Sequence, residues 1–446
     1  MITSTIKFSQ IEDRIDAEYY KPEFFRIYEI LGDKQSVRLE EVAEKLVNGG
    51  TPGIGEGKFY EKGVLFLKNG NIKEMEIDYD NVEFISRPSY AARKRSALKK
   101  NDVLVTIAGT IGNVAVFDKN IEANINQNVC RVVTKNINPY YLAIFLNSKI
   151  GKSQLIRHAT VQTIQYINNQ ILGDVKIPIP SQSFQQKIEK MVKEAQEKRK
   201  LADEKYKEAE EILNKELRLE DLDLSTQKTF TAKFSEAEDR FDPEYYQPKY
   251  KKINSKLKSQ KSKLLNEIVK IRKGIEVGHE AYTNDGKPFI RVQDYDEKEL
   301  IISGSTNYIR PYLYEELKKT HKPVVGVIIY SKDGTVGRAF VVSKDNHEFI
   351  VSGGILILTP QNVDNYYLAL VLNSEIVRSQ AVRKSIGAII QHLSIDDVKK
   401  LKIPILRQSI QQKISSLIQQ SFKLRQEAKE LIDTAKKEIE EMVIRK

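Results

Sequence analysis

Apolar and polar residues follow two different periods along this chain. Runs rich in β-branched residues and punctuated by glycine and asparagine are typical of strands joined by tight turns. The clearest runs are 102–117 (DVLVTIAGTIGNVAVF) and 324–342 (VVGVIIYSKDGTVGRAFVV). Helical periods predict short helices at 21–31, 139–147, 247–258 and 365–373, with Asn138 and Asp364 as N-terminal caps. The pattern therefore predicts mixed α/β globules.

Two long charged helices are also predicted, one beginning near Phe184 and one near Ile410. Neither contains proline or glycine, and apolar residues recur every three to four positions. The expected seams are Ile188, Met191, Ala195, Ala202, Ala209 and Ile212, and then Ile414, Leu417, Leu424, Ala428, Leu431, Ala435 and Met442, with gaps at Ser421 and Glu438. Such narrow seams favour an antiparallel coiled coil, and an ordinary amphipathic helix lying on a globule is the alternative.

An internal repeat spans the chain. The segment Phe8–Phe24 recurs as Phe234–Tyr250, Asn136–Ile150 as Asn362–Ile376, and Asp174–Ile188 as Lys400–Ile414, each at an offset of 226 residues. Between these matches, 49–98 and 274–317 share few residues. A constant offset indicates two copies of one architecture with diverged inner segments, related by a pseudo-twofold axis.

The repeat gives the expected domain limits. We expect an α+β chain with framework segments at 1–33 and 223–260, globular domains at 34–180 and 261–405, and long helices at 181–222 and 406–446. Two equal helices at equivalent places would act as a ruler between the globules.

Composition narrows the function. The net charge is +11 with a pI near 9.2, which favours a polyanionic partner. No apolar run is long enough to span a membrane, and the N-terminal residues do not read as a signal peptide, so we expect a cytoplasmic protein. The single cysteine, Cys130, excludes a disulfide framework and is expected in a buried strand.

Catalytic motifs do not emerge from the sequence. Asn138-Pro139-Tyr140-Tyr141 departs from the methyltransferase pattern Asn-Pro-Pro-Tyr, and a helix cap explains it better. Gly151-Lys152-Ser153 lacks the earlier glycine of a phosphate-binding loop, since position 146 is leucine. The five histidines have no metal-ligand spacing. Glu12, Asp13, Arg14 and Asp16 recur as Glu238, Asp239, Arg240 and Asp242, which favours a structural or docking role. We expect a protein that is not an enzyme.

Basic clusters before equivalent strands are candidates for phosphate contacts. They are Arg93, Lys94, Arg95, Lys99 and Lys100 in the first copy and Lys318, Lys319 and Lys322 in the second. A solvated basic face is the alternative.

Base recognition needs forked amides and guanidinium groups near base edges. The candidates are Lys68, Asn69, Asn71, Thr110, Asn126, Gln127 and Asn128, and then Arg291, Gln293, Asp294, Lys332, Thr335 and Arg338. Asparagine in turns is also common for local reasons. Gln165 and Gln391 align in a shared loop, which favours framework or backbone contact.

The order of these features resembles the specificity subunit of type I restriction–modification systems. The resemblance rests on Asp102–Val116 with its Gly-Thr-Ile-Gly turn, on Tyr140–Ser148, on Lys176–Ile188, and on their second copies. It implies two target-recognition domains, each reading one half of a split, asymmetric site in double-stranded DNA, with the helices setting the spacer. It also implies two modification subunits that bind S-adenosylmethionine and methylate adenine at N6. Restriction subunits using ATP and Mg can add to that complex. This chain itself would hold no cofactor.

Two other functions stay open at this point. One is the specificity part of a bifunctional methyltransferase–nuclease that cuts on both sides of its site. The other is a coiled-coil scaffold without DNA binding.

Overall fold

A computed structural model gives the fold of this chain. The structure describes residues 5–7, 11, 15–32, 36–53, 59, 62–159, 166–220, 222–233, 240–283, 285–302, 305–344 and 348–445. The chain divides into two compact units. Unit 1 comprises Met1–Arg199 with Gln426–Lys446, and unit 2 comprises Lys200–Arg425. The boundary between the units therefore crosses two helices, and each unit is a mixed α/β globule, as predicted.

Unit 1 is built on two sheets. Its strands are β1 (Ser36–Arg38), β2 (Ala43–Asn48), β3 (Val64–Leu67), β4 (Ile72–Lys73), β5 (Glu76–Ile77), β6 (Glu83–Ile85), β7 (Val103–Thr106), β8 (Val114–Val116), β9 (Ala123–Ile125), β10 (Val129–Thr134) and β11 (Lys176–Pro178). Strands β2-β10-β7-β8 form an antiparallel sheet, and β6-β3-β9 form a second sheet in which β3 and β9 are parallel. Strands β1 and β11 pair separately, as do β4 and β5.

Most helices of the first half pack on the four-stranded sheet, whereas Tyr90 of the third helix packs on the second sheet. The helices are α1 (Pro22–Gly32), α2 (Leu39–Val42), α3 (Arg87–Ala92), α4 (Pro139–Asn147), α5 (Lys149–His158), α6 (Asn169–Gly173) and α7 (Gln182–Leu217). Alternation along β7 explains the layers: Val103 and Val105 join the core beneath α4, whereas Leu104 joins the core between the two sheets. The sheet is therefore buried on both faces.

Unit 2 repeats this plan with one strand added to its second sheet. Its elements are α8 (Pro248–Lys258), β12 (Ser262–Leu264), β13 (Val269–Lys273), β14 (Tyr282–Thr283), β15 (Lys287–Ile290), β16 (Asn307–Ile309), α9 (Pro311–His321), β17 (Ile328–Ser331), β18 (Ala339–Val341), β19 (Ile350–Val351), β20 (Ile355–Pro360), α10 (Asn365–Asn373), α11 (Glu375–Lys384), α12 (Ile395–Lys399), β21 (Lys402–Pro404) and α13 (Gln408–Ile444). The sheet β13-β20-β17-β18 matches the main sheet of unit 1, and β16-β15-β19 matches the second sheet β6-β3-β9 with β14 added at its edge.

Residues that recur between the copies hold the framework. The Tyr141 hydroxyl donates to the Pro178 carbonyl at 2.6 Å, and the Tyr367 hydroxyl donates to the Pro404 carbonyl at 2.9 Å. The predicted caps are confirmed, since Asn138 caps α4 and Asp364 caps α10 through side-chain oxygens. The repeated sequence motifs thus mark packing that both units need.

The repeated segments that contain Tyr19 and Tyr245 are anchored in the same way in both units. Arg157 lies 4.1 Å from the Tyr19 ring and donates to the Tyr19 carbonyl. Arg383 lies 4.2 Å from the Tyr245 ring and donates to the Tyr245 carbonyl. Cation–π contact and a charge-assisted hydrogen bond therefore fix each segment to its globule. Glu12, Asp13, Arg14, Glu238 and Asp239 lie outside the described residues.

The long helices pack antiparallel, as predicted. In unit 1, Lys187 pairs with Glu438 and Lys198 with Glu427, both at 2.6 Å. In unit 2, the Ser421 hydroxyl donates to the Ala202 carbonyl. Partner numbers fall on one helix as they rise on the other, which defines the antiparallel direction.

The buried face of these helices is broader than the predicted seam. The buried set adds Val192, Tyr206, Leu213, Leu217, Ile418, Ser421, Ile432, Ile439 and Val443. Met191, Ile212, Leu431 and Met442 are partly buried and pack at the margin of this face. Leu424 is also partly buried, but it belongs to none of the core clusters. Ser421, predicted as a gap, is fully buried. The reason is that each helix packs on a globule as well as on the other helix, so one apolar stripe does not suffice.

Cys130 lies in β10 and is buried, as predicted. Burial raises the pKa of its thiol to about 12. Among the described residues, no helix combines the length and apolar character needed to cross a membrane.

Candidate nucleic-acid interface

Four loops meet at one edge of unit 1. The loop edge of unit 1 is defined as residues 49–51, 68–70, 107–110 and 126–128. Three backbone hydrogen bonds join these loops: Gly50 N–H to the Ile125 carbonyl (3.1 Å), Asn126 N–H to the Leu67 carbonyl (3.0 Å), and Ile107 N–H to the Asn128 carbonyl (2.9 Å). Gly49 is required here, since a Cβ would lie 2.0 Å from the Ile125 carbonyl oxygen.

Unit 2 builds the same edge with the same bonds. The loop edge of unit 2 is defined as residues 274–276, 291–293, 332–335 and 352–354. Ile275 N–H donates to the Val351 carbonyl (3.0 Å), Ser352 N–H to the Ile290 carbonyl (2.9 Å), and Lys332 N–H to the Gly354 carbonyl (2.9 Å). A Cβ on Gly274 would lie 2.2 Å from the Ser352 carbonyl oxygen.

The two edges differ in side chains rather than in backbone. The equivalent hydrogen bonds align 107–108 with 332–333 and 126–128 with 352–354. Ile-Ala in unit 1 becomes Lys-Asp in unit 2, and Asn-Gln-Asn becomes Ser-Gly-Gly. One scaffold therefore presents two different chemical surfaces at the same place.

Some predicted residues lie exposed or half-buried at the edge of unit 1. Thr110 and Gln127 are exposed, and Lys68, Asn69 and Asn128 are half-buried. The Thr51 hydroxyl donates to the Gln127 side-chain carbonyl, and the Asn69 amide donates to the Ala108 carbonyl at 3.4 Å. The Lys68 ammonium pairs with Glu83 at 2.5 Å and lies over the Phe59 ring, so its charge is compensated locally. These contacts orient the polar groups at the loop edge.

Three predicted residues are buried and bond within their own loops. Asn71 accepts from the Lys68 N–H (2.9 Å) and donates to the Asn81 carbonyl (2.9 Å). Asn126 accepts from the Asn128 N–H at 3.3 Å. Asp294 accepts from the Arg291 N–H at 2.9 Å and is bridged by the Arg291 guanidinium at 3.0 Å. These side-chain bonds stabilise the loop conformation, as is usual for Asx residues in turns.

The edge of unit 2 lines a cleft of about 420 Å³. Gln293 and Thr335 are exposed there, and the Arg291 guanidinium is half-buried. Lys332 pairs with Asp333 at 2.6 Å. Arg338 donates to the Tyr295 carbonyl at 2.8 Å and to the Val292 carbonyl at 3.3 Å, so this guanidinium supports the loop. Gln293 and Thr335 are therefore exposed in the cleft, and Arg338 stabilises the loop beneath them by hydrogen bonds.

The predicted basic clusters are divided between two ends of the main strands. Arg93 reaches the loop edge of unit 1, where it donates to the Thr51 carbonyl at 3.3 Å. Lys94 and Arg95 are exposed on the short helix that follows Arg93. Lys99 and Lys100 are exposed in the turn that precedes β7, at the opposite end of that strand from Gly109. Sequence proximity thus overstated how compact this cluster is.

The cluster of unit 2 is partly neutralised. Lys318 and Lys319 are exposed on α9, and Lys318 pairs with Glu315 at 2.5 Å. Lys322 pairs with Glu348, and this hydrogen bond raises the pKa of Lys322 above its usual value. The same bond, with others from Tyr314 and Lys287, lowers the pKa of Glu348 to about 2.

The shared glutamine loop is described in one unit only. Gln165 lies outside the described residues. Gln391 is exposed, and its carbonyl accepts from the Gly334 N–H at 2.8 Å, which places it beside Thr335. Sequence reasoning missed three exposed isoleucines in this loop: Ile386, Ile389 and Ile390. The sequence feature that could have predicted this exposed loop is Gly387, which lies among apolar residues between two helices.

Within the described ranges, no group of three or more His, Cys, Asp or Glu side chains is arranged to hold a metal ion.

Comparison with known families gives a clear match. The sequence model of the Type I restriction modification DNA specificity domain matches residues 32–211 and 229–440. These two matches cover most of the chain and follow its repeat, and the chain belongs to this family.

A curated relative and two solved structures are similar to the chain. The chain is 29% identical over 143 residues to the Type I restriction enzyme EcoBI specificity subunit of Escherichia coli, which covers 32% of this chain and 30% of that relative. The chain thus aligns with less than a third of that relative. The type I restriction–modification S subunit from M. genitalium is 16% identical, with a TM-score of 0.42 and coverage of 92% and 95%. The HsdS subunit from Thermoanaerobacter tengcongensis is 15% identical, with a TM-score of 0.31 and coverage of 92% and 96%.

Proposed function

We propose that this chain is the DNA-recognition subunit of a type I restriction–modification complex, in which each unit reads one half of a bipartite, asymmetric site. One observation carries the proposal: equivalent backbone hydrogen bonds build the same loop edge in both units, but the side chains on the two edges differ. A protein that reads two different half-sites needs this combination, because phosphate geometry is common to all sequences and base edges are not.

The proposed base contacts are the groups exposed or half-buried at the two edges. In unit 1 they are Asn69, Thr110, Gln127 and Asn128, and in unit 2 they are Arg291, Gln293 and Thr335. Gln391, which lies beside that edge, is proposed to make framework or backbone contact. Lys68, Lys332 and Arg338 are proposed to support them through local ion pairs and carbonyl contacts. Asn71, Asn126 and Asp294 are proposed to hold the loops, because their side chains are buried and bonded. Gln165 stays a prediction from the sequence.

The proposed phosphate contacts are the exposed basic groups, together with the half-buried Arg93. Arg93, Lys94 and Arg95 lie near or at the loop edge of unit 1. Lys99 and Lys100, and likewise Lys318 and Lys319, remain proposed contacts for more distant phosphates. Lys322 is a weaker candidate, because Glu348 already compensates its charge.

The proposed partners are double-stranded DNA and two modification subunits, to which restriction subunits can add. Two equivalent docking points support that number, because Ile15 and Phe241 occupy matching positions in the repeated segments and are 92% and 81% exposed. We propose that S-adenosylmethionine, ATP and Mg bind those partners, that this chain is not catalytic, and that the complex works in the cytoplasm. The domain limits predicted from the sequence and the spacer role of α7 and α13 belong to the same proposal.

The test is a map of methylated adenines in host DNA with and without this gene. We expect a split motif that disappears on deletion and returns with the full-length chain. The complementary measurement is DNA binding by the assembly purified through a tagged copy of this chain. If that assembly binds unrelated duplexes as tightly as the mapped motif, the proposal is wrong and the scaffold function is favoured.

A further inference from the structure

An apolar loop stands beside the loop edge of unit 2. The isoleucine loop is defined as residues 386–392, between α11 and α12. Ile386 is 62% exposed, Ile389 97% and Ile390 56%. A single exposed apolar side chain is ordinary, but three within five residues form a surface that normally meets a partner.

The backbone of this loop is fixed before any partner binds. Ile386 N–H donates to the His392 carbonyl (2.9 Å) and His392 N–H donates to the Ile386 carbonyl (2.7 Å), which closes the stem. Gly387 has φ +111°, and a Cβ there would lie 2.1 Å from the Ile390 carbonyl oxygen. Glycine is therefore required for the turn, and the isoleucines are presented by a pre-organised tip.

The stem is tied to the loop edge. The His392 ring lies 3.0 Å from the Asp333 carboxylate, and Gly334 N–H donates to the Gln391 carbonyl at 2.8 Å. On its other side, Arg240 donates to the Ser385 carbonyl at 3.0 Å. The tip therefore projects from the same surface that carries Thr335 and Gln391.

The two copies share part of this loop and differ at its tip. At the common offset, Ile390 and Gln391 correspond to Ile164 and Gln165, whereas Ile386 and Ile389 correspond to Thr160 and Thr163. A protein partner common to both units would need matching surfaces, whereas two different half-sites would need different ones. The divergence therefore favours a DNA ligand over a shared subunit.

We propose that Ile389 and Ile390 read thymine in the half-site of unit 2 by apolar contact with its C5-methyl group, an inference that rests on the proposed function. The thymine methyl is the apolar group that base pairs present in the major groove, beside the donors and acceptors that Gln293 and Thr335 would meet. Burying one methyl group against the tip corresponds to about a fourfold change in affinity.

The experiment removes the thymine methyl group and the two isoleucine side chains separately. The assembly, purified through the tagged full-length chain, is titrated with its mapped target and with a duplex in which the thymines of the unit 2 half-site are replaced by uracil. The wild type is expected to bind the uracil duplex about fourfold less tightly for each methyl contacted. The variant Ile389→Ser with Ile390→Ser should bind the thymine duplex as weakly as the wild type binds uracil, and should not distinguish the two duplexes.

Val324→Ser is the matched control, because Val324 is an exposed apolar residue of unit 2 that precedes β17, whereas the isoleucine loop contacts the turn that follows this strand. It should leave the discrimination between thymine and uracil unchanged. The inference is overturned if replacing thymine by uracil weakens binding of the double variant Ile389→Ser, Ile390→Ser as much as it weakens binding of the wild type. It is also overturned if that replacement does not weaken binding of the wild type, or if the half-site contains no A·T pair. Loss of all sequence preference in the wild-type assembly would instead overturn the proposed function.

Discussion

The hydroxyl of Ser421 on α13 donates a 2.7 Å hydrogen bond to the carbonyl of Ala202 on α7, and both residues are fully buried. A bond from a short side chain to the facing backbone requires a close approach of the two helices. Small residues at this level are therefore a packing requirement rather than an interruption of the apolar seam.

Replacing Ser421 by leucine should destabilise unit 2, because the added volume has no space between the helices. We expect a loss of about 1–3 kcal/mol from overpacking. Ser421→Ala is the control, since it removes the hydrogen bond without adding volume and should cost about 0.5–1.5 kcal/mol. Urea unfolding followed by circular dichroism measures both; a leucine variant as stable as wild type would show that the helices are not closely packed here.

The buried ion pair of Arg131 and Asp102 makes a second prediction, because unit 2 has apolar residues in its place. The guanidinium contacts both carboxylate oxygens, at 2.6 and 3.2 Å. In unit 2 the equivalent of Arg131 is Ile357, because both lie at the same position in the strand register. The equivalent of Asp102 is Val327, because each residue directly precedes its strand, β7 or β17. Asp102→Val alone should destabilise unit 1 by about 3–5 kcal/mol, because it leaves a buried charge unpaired.

Combining Asp102→Val with Arg131→Ile should restore most of that loss, since an apolar pair of similar volume is often as stable as a buried ion pair. Denaturant unfolding of the wild type, the two single variants and the double variant forms a complete mutant cycle. A double variant no more stable than Asp102→Val would contradict the equivalence of the two units at this position.

The carboxylate of Glu348 predicts a pH dependence. Its folded pKa of about 2 lies below the usual 4.5. Its contribution to stability should therefore be complete above pH 4.5 and should decline as the pH falls from there toward 2. Because the side chain is half-exposed, solvent screening limits the effect to about 1 kcal/mol or less.

Unfolding of Glu348→Gln and wild type should accordingly differ at pH 7 and converge near pH 2. Glu315→Gln is the control, because Glu315 makes a single pair with Lys318 on the surface of α9. Curves that stay parallel down to pH 2 would show that Glu348 does not link protonation to folding.

Replacing Lys94 and Arg95 by alanine should weaken DNA binding by the assembly to a similar degree on all sequences. Each lost phosphate contact lowers the dependence of log K on log salt by about 0.9, so we expect a change of roughly 1.8. Lys258→Ala with Lys263→Ala removes the same charge from the framework of unit 2 and should leave the slope unchanged. An unaltered slope in the Lys94 and Arg95 variant would favour the scaffold function.

The length of the helices is proposed to set the spacer of the DNA site. Removing 196–202 from α7 and 421–427 from α13 deletes one heptad from each helix, about 10 Å. The tolerated spacer should shorten by about three base pairs, while both half-sites stay the same. Adenine methylation mapping measures both quantities. Changed half-sites with an unchanged spacer would show that the helices do not act as a ruler.

Local features of the fold were predictable from the sequence. Asn138 and Asp364 cap their helices because capping depends on a few adjacent residues. The runs rich in β-branched residues located β7 and β8 and their equivalents β17 and β18, which are half of each main sheet. The full width of the buried helix face was less predictable: Ile432 and Ile439 are buried beside the partly buried Leu431 and Met442, because the globule covers a second face that helical periodicity alone does not specify.

The candidate site was predictable at the level of loops but not of side chains. Asn71 and Asp294 have residue types suited to base recognition, yet both are consumed by backbone hydrogen bonds that depend on tertiary contacts. Ile389 was missed for the opposite reason, because an apolar residue is expected in a core and only the position of the loop shows it to be exposed.

The only thiol of the chain, that of Cys130 in β10, can report the opening of unit 1 through its reaction with an alkylating reagent. With its pKa raised to about 12 by burial, the thiol stays protonated and shielded at neutral pH, and an alkylating reagent can reach it only when the core between the main sheet and the helices of unit 1 opens. The rate at which Cys130 is alkylated in the unmodified protein would therefore measure the opening of unit 1. Unit 2 has no cysteine and would not react. The duplicated chain thus carries a reporter that tells its two halves apart without any engineered probe.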